Sequence, residues 1–75
     1  MREDRFRQGA RERRTLFNAW LILNNPLLIE LIGEAGWDCI TIDQQHGAGD
    51  NEALVGCLTA ARAYGLPAIV RVADN

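Results

Sequence analysis

Three short β-rich runs separated by two stretches of helical periodicity leave this chain few possible folds. Residues 15–23, Thr-Leu-Phe-Asn-Ala-Trp-Leu-Ile-Leu, are nearly continuously apolar, as a strand covered on both faces is. A second run, Asp-Cys-Ile-Thr-Ile-Asp, occupies 38–43, and a third, Leu-Pro-Ala-Ile-Val-Arg-Val, occupies 66–72 with Pro67 at its start, where a missing N–H is tolerated. Between the first two, Asn25 can cap a helix and Pro26 fits its first turn. Leu27, Leu28, Leu31, Ile32 and Ala35 recur at helical spacing before Gly36. After the polar loop 44–49, Asp50 caps a second helix with the stripe Leu54, Cys57, Leu58, Ala61 and Tyr64, which Gly65 ends. Residues 2–13 form a polar helix with Phe6 and Ala10 on one side. Strands alternating with helices mean crossover connections and a parallel sheet. The expected fold is α/β: strands near 16–23, 38–43 and 67–72, parallel and in the order 1-2-3, preceded by a short helix.

A three-stranded parallel sheet with two crossover helices has open edges and incomplete cover. The 75 residues therefore read as the opening segment of a larger α/β domain. At this size, stability on the order of 3–5 kcal/mol is all a single core supplies. No apolar run approaches a membrane span, and Met-Arg-Glu-Asp-Arg at the start has no apolar stretch behind it to make a secretory signal. Cys39 and Cys57 are too few for a disulfide framework and read as small buried hydrophobes in a reducing cytoplasm. Residues 1–14 carry a net +3 and residues 15–75 a net −5. The basic arm does not point to nucleic acid, because Glu3, Asp4 and Glu12 alternate with its arginines as on a solvated helix face. There is no lysine for a Schiff base and no serine for a Ser–His–Asp triad. Gly33, Gly36, Gly47 and Gly49 do not spell a phosphate loop.

Parallel α/β folds bind ligands at the carboxyl ends of their strands. That rule gathers Asn24 and Asn25 after the first strand, Asp43, Gln44, Gln45 and His46 after the second, and Arg71 and Asp74 at the third, with Trp20 a turn before the first. His46, the only histidine, is either a solvated loop side chain or a proton acceptor tunable near neutral pH. Arg71, inside Ala-Ile-Val-Arg-Val, is either an ion pair with Asp43 on the adjacent strand or a clamp for a carboxylate. Trp20 is a core side chain or a ligand contact.

The ordered set Ala19-Trp20-Leu21, Glu30-Leu31, Ala35-Gly36-Trp37-Asp38, Ile42-Asp43-Gln44-Gln45-His46-Gly47 and Val70-Arg71-Val72 resembles the HpcH/HpaI aldolase/citrate lyase family, and within it the 4-hydroxy-2-oxoheptanedioate aldolase branch. The resemblance implies that the chain is the N-terminal part, about three of eight strands, of a (β/α)8 TIM barrel. It implies a metal-dependent aldolase that cleaves 4-hydroxy-2-oxo acids to pyruvate and an aldehyde through an enolate. His46 matches the histidine of proton transfer, Arg71 the arginine on the pyruvate carboxylate and keto oxygen, and Asp43 the strand-end aspartate near the metal and its waters. Trp20 and Gln45 fall beside the substrate. Many members have Gly-Glu-His where this chain has Gln44-Gln45-His46, so a carboxylate is missing. The family's divalent cation, Mg²⁺, Mn²⁺ or Co²⁺, has its ligands on strands beyond residue 75, and this chain would hold none of them. A complete enzyme of this kind is expected to be a cytoplasmic homo-oligomer with a small 2-oxo acid as its partner. Two other classes stand beside it: an inactive truncated fragment, and a small-molecule-binding module such as an open flavodoxin-like sheet.

Overall fold

The computed structural model describes residues 2–47 and 50–72. The elements are α1 (Arg2–Arg11), β1 (Asn18–Leu21), α2 (Pro26–Ala35), β2 (Cys39–Asp43), α3 (Asn51–Ala63) and β3 (Ala68–Arg71). The three strands make one parallel sheet in the order β1-β2-β3. Asn18 lies opposite Cys39 and Leu21 opposite Ile42, while Ile40 lies opposite Ala68 and Asp43 opposite Arg71. Topology and order are those the alternation dictates; each strand is shorter than its apolar run. Asp74 of the expected rim, and Ala48 and Gly49 of the polar loop, lie outside the described residues.

The helix boundaries follow local chemistry. Asn25 is extended, and its side chain accepts from the Leu27 N–H at 2.9 Å while Pro26 opens α2. Gly36, at φ 90°, ends that helix in the left-handed region that favours glycine. Asp50 accepts from the Ala53 N–H at 2.9 Å to start α3. Each such cap is worth about 1 kcal/mol. At the start of β3 the Pro67 carbonyl accepts from Ile40 N–H at 3.0 Å, so the proline loses no bond the sheet needs.

Leu21, Ile40 and Ile42 from the sheet, Ile29 from α2, Cys57 and Ala61 from α3, and Leu66 form the buried core, with Ala19, Ile32, Leu54, Ala60 and Tyr64 packed around it. Both helices therefore cover the same face of the sheet. The Cα envelope measures 34 × 27 × 14 Å, a slab of one sheet and one helix layer. A doubly wound flavodoxin-like sheet, with strand order 2-1-3 and helices on both faces, is a different arrangement. One-sided cover with sequential order is the wall of a barrel.

Two expectations are corrected. The first run is not covered on both faces: Phe17 is 63% and Trp20 54% exposed. Ala19 and Leu21 turn to the helices, while Asn18 and Trp20 share the other face with Thr41 and Asp43, onto which no described helix packs. In α2 the buried face is also rotated. Leu27 and Leu31 are 59% and 58% exposed, whereas Ile29 is fully buried and Gly33 buried beside it. The apolar count placed the stripe on the leucines because glycine scores as nothing. Yet a Cβ on Gly33 would stand 2.7 Å from the Tyr64 ring, so the missing side chain is what lets α2 meet the end of α3. Within 5–11, helix α1 adds no residue to the core, and only its Gly9 is buried.

The rotated face predicts a contrast on one helix. Ile29→Ala should cost about 2–5 kcal/mol, most of the stability available to a chain of this size. Leu31→Ala should stay within about 0.5 kcal/mol. Urea unfolding followed by circular dichroism measures both; equal losses would contradict the packing described.

Candidate active site

Strands β2 and β3 end side by side in Asp43 and Arg71. Asp43 is only 2% exposed, and its carboxylate is fully engaged. Oδ1 accepts from the backbone N–H groups of Gln45 at 2.9 Å and His46 at 3.0 Å, which folds the loop back over the strand end. Oδ2 accepts from Trp20 Nε1 at 3.2 Å and faces Arg71 Nη1 at 3.6 Å. The His46 N–H above all, helped by the Trp20 and Gln45 N–H groups and by the Arg71 charge, holds this carboxyl below the usual carboxylate range against the opposing effect of burial.

Arg71 donates from Nε to Gln45 Oε1 at 2.6 Å. Its guanidinium carbon lies 5.9 Å from the Trp20 ring centroid, within cation–π range. The Gln44 N–H bonds to its backbone carbonyl at 2.8 Å. The Asp43–Arg71 pair exists but is loose, since a charge-assisted bond closes to about 2.7–2.9 Å. The arginine side chain stays 41% exposed. Trp20 is not a core residue: its indole N–H is anchored on Asp43 and its ring is exposed. His46 is exposed; its backbone, not its imidazole, is what Asp43 fixes.

Beneath the loop, Asn24 is 6% exposed and its amide reaches the Asp43 carbonyl at 3.4 Å. Asn24 Oδ1 and Gln44 Nε2 are buried without a hydrogen-bond partner among the described residues. The sequence reading missed the part played by Gly47. Any Cβ there would collide with the backbone carbonyls of Asp43 and Ile22, so this turn packs directly on the ends of β1 and β2. A glycine four residues past a strand-end aspartate was the available signal.

No group of three or more His, Cys, Asp or Glu able to hold a metal ion forms among the described residues. Asp43 meets four donors, and a cation would have to displace them. The described residues alone do not assemble a metal centre. Cys39 and Cys57 are buried and unpaired, and burial pushes both thiols up, as inert core side chains require. Among the described residues no helix is long and apolar enough to cross a membrane.

A one-sided parallel sheet with a polar cluster at its strand ends has the arrangement of a barrel wall. Comparison with known proteins agrees. No family model matches the chain. The 5-keto-4-deoxy-D-glucarate aldolase of Klebsiella pneumoniae is 28% identical over 72 residues, 96% of this chain and 28% of that protein. The crystal structure of citrate synthase SbnG superposes with a TM-score of 0.77 at 31% identity, over 93% of this chain and 27% of that one. An HpcH/HpaI aldolase/citrate lyase family protein from Burkholderia cenocepacia superposes with a TM-score of 0.73 at 31% identity, over 96% and 28%. The chain thus spans a little over a quarter of the length of these relatives. Sequence and fold together support the HpcH/HpaI aldolase/citrate lyase family for this chain, over a part of its members' length.

The engaged carboxylate predicts a pH signature. Because Asp43 titrates lower folded than in its unfolded range near about 3.9, the stability it contributes is complete above that range. It is lost as pH falls through the folded value. Urea midpoints recorded between pH 7 and pH 2 should drop more steeply in the acid limb for the wild type than for Asp43→Asn. The variant should also start lower at pH 7, since an amide nitrogen cannot accept from both Trp20 and Arg71. Parallel curves would mean that these donors do not hold the carboxylate.

Proposed function

We propose that this chain carries the arginine–histidine part of the active site of an aldolase-type carbon–carbon lyase, which cleaves 4-hydroxy-2-oxo acids to pyruvate and an aldehyde. One observation carries the reading. Arg71 stands at the end of β3, steered by Gln45 and backed by Asp43 and Trp20, with its side chain partly exposed. The aldolase names of the sequence relatives support the class of chemistry. The likeness to a citrate synthase brings the reverse direction, bond formation, into the same reading.

In this reading Arg71 binds the carboxylate of the 2-oxo acid and stabilises the negative charge that develops on the keto oxygen as the carbon–carbon bond breaks. His46, following Gln45 in the chain, accepts the proton from the 4-hydroxyl. Asp43 touches no substrate; it fixes the loop that presents His46 and the indole that backs Arg71. A divalent cation belongs to the proposal only as a group bound by carboxylates outside this chain, since the described residues do not assemble a site for it. These 75 residues are proposed as one segment of that barrel domain, inactive alone, in a cytoplasmic enzyme that assembles as a homo-oligomer.

The test is cleavage of a 4-hydroxy-2-oxo acid by the protein isolated from its source, with the intact mass recorded on the same preparation. Arg71→Ala should slow turnover by about 10²–10³, or about 3–4 kcal/mol, and weaken pyruvate analogues with it. His46→Ala should slow turnover by about 10²–10⁴ while leaving those analogues bound. An Arg71→Ala protein with unchanged affinity for pyruvate analogues would sink the assignment.

A further inference from the structure

The strands run parallel, so their amino ends form the face of the wall opposite Asp43 and Arg71. Two clefts meet on that face and share Gly36 and Trp37, which lead into β2. One, of about 250 Å³, is completed by Phe17 and Ala35. The other, of about 340 Å³, is completed by Arg5, Arg14 and Asp38. An apolar half with two exposed aromatic rings, Phe17 and Trp37, thus adjoins a half that holds two guanidinium groups. Apolar walls with a few placed polar groups are how small-molecule sites are built. Asp38 Oδ2 accepts from the Phe17 N–H at 2.8 Å, so this carboxylate serves the junction of β1 and β2.

The seat of Arg14 is shaped by the backbone around it. Helix α1 ends in a turn where Arg13 takes φ 56°, the left-handed region in which glycine is usual. The Arg14 N–H returns to the Gly9 carbonyl at 2.8 Å, and its Nη2 donates to the Arg5 carbonyl at 3.0 Å. Gly9 makes the room: a Cβ there would stand 2.7 Å from Arg14 Nη2 and 3.1 Å from Nε. A glycine inside a helix and a side chain in the left-handed region each disfavour the folded chain. Together they lay the Arg14 guanidinium across α1, on the same cleft as Arg5.

We propose that this cleft is a ligand site for a flat aromatic ring bearing one carboxylate. The ring lies against Trp37 and Phe17, and the carboxylate is held by Arg14 and Arg5, whose planar forks match it. The site is independent of the reading given for the strand ends.

The experiment titrates the full 75-residue chain with 2-naphthoate and with its neutral counterpart, 2-naphthamide. The two indole Nε1–H signals are followed by NMR and assigned with Trp20→Phe. Naphthoate should shift the Trp37 signal and leave that of Trp20 in place, and naphthamide should bind at least roughly tenfold more weakly. Arg14→Gln should weaken naphthoate by roughly tenfold and leave naphthamide unchanged. Gly9→Ala keeps every charge and favours the helix, yet should weaken naphthoate by roughly threefold because it displaces Arg14. Arg71→Ala should bind naphthoate as the wild type does.

Equal binding of the acid and the amide overturns the proposal, and so does a Trp37 signal that naphthoate leaves unmoved. Naphthoate affinity untouched by Arg14→Gln or by Gly9→Ala overturns it as well, because the seated guanidinium then holds nothing. A shift confined to Trp20, lost in Arg71→Ala, places the acid at the strand ends and overturns it too.

Discussion

The carboxylate of Asp43 is the point on which the strand-end architecture depends. It is almost completely buried, yet it stays ionised because two backbone N–H groups, an indole N–H and a guanidinium surround it. A buried charge is tolerable only with such partners. Those partners come from β1, from the loop after β2 and from β3. One side chain therefore ties three successive units of the wall at their carboxyl ends, and the helices hold the same units together from behind.

This division explains why the fold and the site differ in character. The helix-side face is a compact apolar core whose members are fixed by packing. The opposite face carries Asn18, Thr41, Trp20, Asp43 and Arg71, joined by directed polar contacts: Thr41 Oγ1 and Cys39 Sγ both reach Asn18 Oδ1, at 3.1 and 3.4 Å. Polar groups at such positions are costly unless each finds a partner. The chain meets that cost with side chains from the neighbouring strand, in register.

The architecture was legible in the sequence because periodicity, caps and turn residues agreed. Asn25, Pro26, Gly36 and Asp50 each do locally what their chemistry dictates. The rim residues were legible for a different reason: a rule about parallel sheets places them, whatever their identity. Three things were not legible. The buried face of α2 depends on a glycine meeting a ring from α3, which no count of apolar residues registers. The exposure of Trp20 depends on which face of β1 the helices take. The role of Gln45 depends on a contact across 26 residues of chain. All three are set by tertiary register, which hydrophobic patterning alone does not encode.

The close approach at Gly33 reaches beyond packing. Helix α2 follows β1 and α3 follows β2, so the distance at which the Tyr64 ring lets the two helices meet also sets how sharply the wall bends between their strands. The same is true at Gly56, where a Cβ would press on the Pro26 ring, 2.9 Å from its Cγ. Two missing side chains on the outer layer thus set how closely the helices behind β1 and β2 can approach, and a methyl group at either position would push the two units of the wall apart.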